Sequence, residues 1–309
     1  MSSLMTNVSA MTALRALQST NSQMETTQAR ISTGFRVAEA ADNAAYWSIA
    51  TTMRSDNKAL GTVQDALGLG AAKVDIAYTA VNSAIDVVDE IKAKLVAARE
   101  PGVDRSKIQT EIDELQNQLT SISNSAAFNG ENWLNVDSSA AGYAATESIV
   151  SSFNRDATGA VSVGTLTVDK SAIALFDANA AATGILDDNT ATTGGAANVA
   201  ASVSDLDLNT ANLNEVDIDG MITITETALQ AMTDAASDLG SAKKRIDLQT
   251  DFVSTLMDSI DRGVGQLVDA DMSAESTKLQ ALQVQQQLGI QALSIANSNA
   301  QSILSLFRG

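Results

Sequence analysis

From Tyr46 onward every seventh residue is apolar: Tyr46, Met53, Leu60, Leu67, Val74, Val81, Val88 and Leu95. Three positions further on stand Ile49, Asp56, Val63, Gly70, Ala77, Ala84, Ile91 and Ala98, small or apolar with one exception. A seam of this kind over eight heptads predicts one coiled-coil-like helix, about 80 Å long at roughly 1.5 Å per residue. Gly61, Gly68 and Gly70 weaken it, and Glu100-Pro101-Gly102 ends it, because proline cannot continue a helix and restricts the residue before it. That proline is the only one in 309 residues, as expected of a chain built from long uninterrupted helices.

Two further stripes complete the pattern. Ile108, Ile112, Leu115, Leu119, Ile122 and Ala126 predict a second helix that folds back on the first through a short loop. Met232, Leu239, Ile246, Val253, Ile260 and Leu267 repeat the seven-residue spacing far downstream, with Ala228, Ala235 and Ala242 among their companions. Three such seams close into a slender bundle. The chain ends carry thinner stripes, Leu4, Val8, Met11, Leu14, Leu17 and Met24 at one and Leu279, Leu282, Leu293, Ala296, Ile303 and Phe307 at the other. A single helix with so narrow an apolar face is marginal without a partner. The ends are expected to pair with each other, and the apolar surface left over points to other copies of the chain.

Between the stripes the period changes. Residues 136–222 read as a small β-containing insert, in which residues 161–168 and 216–224 alternate apolar and polar as strands do. The chain is therefore expected to be mainly α, a long helical bundle drawn from both ends around that insert. Charge divides the molecule in the same way: twelve acids against Arg155 and Lys170 lie in residues 137–219, more than half of the formal charge of −18, while both ends are near neutral. So acidic a chain excludes a nucleic-acid partner.

Chemistry finds little purchase. There is no Cys and no His, which removes disulfides, thiolate nucleophiles and imidazole bases. No enzyme, cofactor or metal is expected. Asp205-Leu-Asp207-Leu-Asn209 alternates oxygen ligands, but Thr210 stands where a calcium loop needs glycine, so alternation along a strand is the better account. Lys243-Lys244-Arg245 reads as a solvated or salt-bridging face. No apolar run approaches the roughly 18 residues of a membrane span, and the start of the chain has no charged-then-apolar leader, so neither a membrane partner nor a cleavable signal peptide is expected.

Certain residues carry a resemblance. Arg30 followed by Ile31-Ser-Thr-Gly-Phe-Arg-Val-Ala-Glu-Ala-Ala-Asp-Asn-Ala-Ala-Tyr-Trp-Ser-Ile-Ala50 resembles the N-terminal signature of bacterial flagellins. Ala127-Phe-Asn-Gly130 is similar to their turn after the second helix. Leu239-Gly240, Arg245-Ile-Asp247, Asp269-Ala-Asp-Met272 and Ile303-Leu-Ser-Leu-Phe-Arg308 are similar to their C-terminal half, and residues 259–265 and 285–291 look most like the rhizobial group. The resemblance covers residues 1–135 and 225–309.

It implies a subunit that self-assembles, with itself and with other flagellins, into the extracellular filament used for swimming. It also implies passage unfolded through the flagellar type III export apparatus with a chaperone, and contact with the filament cap and the hook-associated junction proteins. Residues 1–41 would form the N-terminal inner-tube helix and spoke, 42–135 and 223–268 the outer helical layer, 136–222 a variable surface-exposed insert, and 269–309 the C-terminal inner-tube helix. The motif positions implicated in assembly are Ser32, Gly34, Arg36, Asp42, Asn43, Asn129, Gly130, Arg245, Asp269, Asp271, Leu304 and Phe307. A hook–filament junction protein, with comparable terminal helices, is the alternative. The chain departs from the family at the surface that animal receptors detect: Glu90 and Lys94 replace an arginine and a leucine, while Glu111 keeps an acidic position.

Overall fold

The computed structural model describes residues 7–179, 183–188, 190–191 and 200–306. Five helices carry the described chain: α1 (Val8–Thr33), α2 (Ala44–Ala98), α3 (Arg105–Ser125), α4 (Glu215–Val268) and α5 (Met272–Leu306). None of them is long and apolar enough to cross a membrane. The chain divides into two compact units, one made of residues 59–256 and the other of the flanking segments up to Lys58 and from Met257.

In the larger unit the heptad seam of α2 is the core. Leu67, Val74, Val81, Val88 and Leu95 are fully buried, as are the companions Ala84, Ile91 and Ala98. On α4, Met232, Leu239, Ile246 and Val253 are buried, and on α3, Ile112 and Leu119. Ion pairs across the helices give the direction of packing. Asp75 meets Lys243 at 2.5 Å, Lys92 meets Glu226, and Arg99 meets Asp219 at 2.9 Å, so α4 runs antiparallel to α2 in one constant register. Lys94 meets Glu111 at 2.6 Å, which sets α3 antiparallel as well. The helix α2 stops at Ala98, and Gly102 takes a φ of 91° in the turn that leads to α3.

After α3 the chain makes a hairpin of β1 (Ala127–Phe128) and β2 (Glu131–Asn132), then β3 (Asn135–Val136). The long antiparallel pair β4 (Thr146–Arg155) and β5 (Val161–Asp169) follows, with a bulge between Val150 and Ser152. Next come β6 (Phe176–Asp177), parallel to β3, and the short pair β7 (Thr190–Ala191) and β8 (Ala200–Ala201). The strand expected at 161–168 is β5. Its sheet lies against α2 at one close point: a Cβ on Gly70 would sit 2.5 Å from Cγ2 of Ile149, so glycine there is what admits the strand. Lys73, one turn on, binds Glu131 and Glu147 together.

Two expectations are corrected. Residues 216–224 form no strand; they are the first turns of α4. Asn214 Oδ1 accepts the Asp217 amide at 3.0 Å while Asp217 Oδ2 accepts the Asn214 amide at 3.0 Å, a reciprocal capping box. Ile218, Met221 and Thr225 are buried, at spacings that only a helix brings to one face. Nor do residues 205–209 form a strand. A single 3₁₀ turn, Val203–Asp205, leads into a segment that α3 holds, with Gln109 donating to the Leu206 carbonyl at 3.0 Å and accepting the Leu208 amide at 2.7 Å. Leu206 and Leu208 are thereby buried.

Candidate functional site: the paired turns between the terminal helices

The smaller unit brings the two ends of the chain together. In it α1 and α5 lie antiparallel: Asn7 donates to the Ala296 carbonyl at 2.9 Å, Gln286 to Asn21 at 2.8 Å, and Arg30 meets Glu275 at 3.3 Å. At one end of this pair lie two short connections, 34–43 between α1 and α2 and 269–271 between α4 and α5.

Local sequence makes each connection. Gly34 ends α1 in the left-handed region, φ 77°, its amide donating to the Arg30 carbonyl at 2.8 Å. Glycine takes that conformation without the steric cost that a Cβ imposes. Asp42 turns the chain by accepting the amides of Ala38 and Glu39 at 3.0 and 3.2 Å, and those bonds hold its carboxyl below the ordinary range. Asn43 starts α2 by accepting the amides of Ala45 and Tyr46. On the other side Asp271 starts α5, accepting the amides of Ser273 and Ala274 at 2.9 and 3.2 Å.

The connections are then bonded to each other. Ala270 donates to the Gly34 carbonyl at 2.8 Å, and Phe35 forms an antiparallel bridge with Asp269. The amides of Arg36 and Val37 both donate to the Val268 carbonyl, at 2.6 and 3.2 Å, and the Arg36 guanidinium reaches the Leu267 carbonyl at 3.0 Å. This satisfies carbonyls at the end of α4 that no helical partner reaches. Beneath the bonds sits a small apolar cluster of Val37, Ala50, Val264 and Val268, flanked by Phe35, Met53, Ile260 and Leu267. Arg54 lies over the Phe35 ring, 4.8 Å from its centre.

Among the described residues no group of three or more acidic, His or Cys side chains is placed to hold a metal. What the site does is clamp the beginning of the chain to its end, after an excursion of more than two hundred residues.

Comparison with known proteins follows the same division. Residues 4–139 match the family model of the bacterial flagellin N-terminal helical region, and residues 222–307 that of the C-terminal helical region. The chain belongs to the bacterial flagellins. It is 52% identical to flagellin C of Rhizobium meliloti strain 1021 and 47% identical to flagellin B of Rhizobium meliloti, each over the whole of both chains. Against a flagellin of Brucella melitensis the identity is 47%, again over the whole of both.

The flagellin motif positions fall into four groups. Gly34, Arg36 and Asp269 lie where the two connections are bonded, Asp42, Asn43 and Asp271 shape those connections locally, and Ser32 is exposed on the last turn of α1. Asn129 and Gly130 are the two residues of the β1–β2 turn, both with positive φ at 51° and 84°, the primed turn that suits a two-residue hairpin. Arg245 is apart from both, exposed on α4. Leu304 belongs to α5, and Phe307, like Leu4, lies outside the described residues. Glu90 is exposed on α2, and the structure joins Lys94 to Glu111, whose carboxylate raises the Lys94 pKa. Sequence reasoning missed the Val37, Ala50, Val264 and Val268 cluster and the bond between Arg30 and Glu275. Neither has a local signal, since each depends on residues more than two hundred positions apart.

Proposed function

We propose that this chain is a structural subunit of the bacterial flagellar filament, assembling outside the cell with further copies of itself and with related flagellins. The observation that carries the reading is the half-covered pair of ends. α1 and α5 face each other, yet Val8, Met11 and Leu14 on one, and Val284, Leu288, Ile290 and Ile295 on the other, remain at least two-fifths exposed. Apolar side chains in such number along two paired helices call for neighbours, and identical neighbours supply them at no further genetic cost.

On this reading residues 1–41 and 269–309 line the inner tube, 42–135 and 223–268 form the outer layer, and 136–222 faces the medium. The clamp at Gly34 and Ala270 sets where the terminal pair departs from the rest of the chain. The protein acts by packing and catalyses no reaction. It leaves the cell through the type III export apparatus, handled by a chaperone, and meets the filament cap and the junction proteins where the filament grows and begins. No observation favours the junction-protein alternative.

Truncation tests the proposal. Removing residues 279–309 takes away most of α5 and should yield a soluble monomer that forms no filament under conditions in which the full chain does. Filaments of normal appearance from the truncated chain, seen by electron microscopy, would overturn it.

A further inference from the structure

Two patches in the larger unit are left over when the core and the clamp have been accounted for. On α4, Lys244, Arg245, Leu248 and Phe252 follow one another at helical spacing on the side opposite the buried Leu239, Ile246 and Val253. Leu248 is 57% exposed and Phe252 60%, in the range of the most exposed large apolar side chains of the molecule. Lys243 beside them is bound to Asp75, but among the described residues neither Lys244 nor Arg245 forms an ion pair. Asp247 and Asp251 border the patch on one side only, and the charge of Asp247 is felt by Lys243.

The second patch is on α2. Asp86, Asp89, Glu90 and Val96 lie opposite its buried seam, all exposed, Val96 by 54%. Among the described residues none of the three acids forms an ion pair within the chain; Lys92 and Lys94 nearby bind Glu226 and Glu111 and feel the charges of Asp89 and Glu90. One patch thus offers two unpaired cations around large apolar groups, and the other offers unpaired anions around an apolar residue.

We propose that the patch of Lys244, Arg245, Leu248 and Phe252 on one subunit docks on the patch of Asp86, Asp89, Glu90 and Val96 on a second copy of this chain. The charges are complementary in sign, and a chain with a formal charge of −18 has few cations to spare for solvent. Because the two patches differ, the contact is heterologous: each subunit offers the donor patch to one neighbour and the acceptor patch to another, and such a contact extends as an open helix whenever the rotation between neighbours closes no ring. The inference rests on the assembly reading above and names the outer contact that α1 and α5 do not supply.

Charge exchange and cross-linking test it. The chain carrying Lys244→Glu and Arg245→Glu should need at least about tenfold more protein to polymerise, since like charges then face each other. The chain carrying Asp86→Lys, Asp89→Lys and Glu90→Lys should fail in the same way. An equimolar mixture of the two should polymerise, because each then meets its complement. Circular dichroism should report unchanged helix in both, as every altered side chain is exposed.

The chain has no cysteine of its own. Filaments grown from a mixture of Phe252→Cys and Val96→Cys chains should therefore form disulfide-linked dimers on oxidation, and filaments of either alone should not. Unimpaired polymerisation of the charge-reversed chains, or mixed filaments without dimers, would overturn the pairing and leave the assembly reading standing. An unmodified chain that forms no filament would overturn both.

Discussion

The carbonyl of Gly34 accepts the amide hydrogen of Ala270 at 2.8 Å, so a residue that ends the first helix is bonded to a residue just before the last. This bond and the Phe35 bridge to Asp269 are backbone contacts, and they hold only while Gly34 keeps its left-handed conformation. Gly34→Val should cost about 1–3 kcal/mol, because a β-branched residue is strained there. Lower thermal stability together with impaired polymerisation is the expected result. An unchanged melting curve with normal filaments would show that the turn tolerates another path.

Asp42 connects the same clamp to pH. Its folded pKa lies below the ordinary 3.8 because the Glu39 and Ala38 amides bond to the ionised form. A depressed carboxylate contributes stability that is fully present above the unfolded value and is lost as the pH falls through that value toward the folded one. The clamp should therefore loosen on acidification below about pH 4. Asp42→Asn should flatten the acid limb of a stability–pH profile while lowering stability at neutral pH. An identical acid limb in both proteins would remove Asp42 from the account.

The insert can be cut in two ways with opposite outcomes. The Lys170 amide donates to the Ala145 carbonyl at 2.7 Å, so the ends of the β4–β5 hairpin lie side by side. Deleting residues 146–169 with a short glycine linker should leave a folded, polymerising chain. The loss of Ile149, Leu166 and Val168 from the core should lower stability by at most about 4.5–9 kcal/mol, at roughly 1.5–3 kcal/mol for each buried side chain. Excising residues 137–219 is more severe. It removes Leu206 and Leu208, the Asn214 and Asp217 capping box and buried Ile218, and should prevent α4 from seating on α2 and α3. Far-ultraviolet circular dichroism and thermal melting of the two deletions distinguish these outcomes, and equal stability would refute the difference.

At the positions where the family resemblance implies a receptor surface, Lys94 holds Glu111 in an ion pair at 2.6 Å while Glu90 stands exposed one turn earlier. An interface shaped for an arginine and a leucine meets an acid and an engaged cation instead. Leaving one member of a charge pair unpartnered once it is buried in an interface costs roughly 2–5 kcal/mol. Weak or absent activation of the animal flagellin receptor is expected, and Glu90→Arg with Lys94→Leu should raise it. A reporter-cell assay on purified monomer decides the matter; potent activation by the unmodified chain would count against the argument.

The sequence by itself determined the helices and their inward faces. Leu67, Val74, Val81, Val88 and Leu95 are buried where a period of seven puts them, Pro101 stops α2, and the motif positions of the two turns are legible through the family resemblance. These are local properties, carried by spacing and by the backbone preferences of single residues. Where two local patterns competed, the sequence misled: residues 216–224 alternate like a strand, but a capping box and burial against the bundle made them helical.

Tertiary structure alone decided the rest. Glycine at position 70 reads as a flaw in a heptad until Ile149 is found against it, and Lys94 and Glu111 read as separate surface positions until antiparallel packing joins them. The clamp likewise exists only when residues 34–37 reach residues 267–270. Contacts between segments so distant depend on helix register and direction, which no window of sequence contains. They form because buried backbone groups at helix ends must find partners, and here each end of the chain supplies what the other lacks.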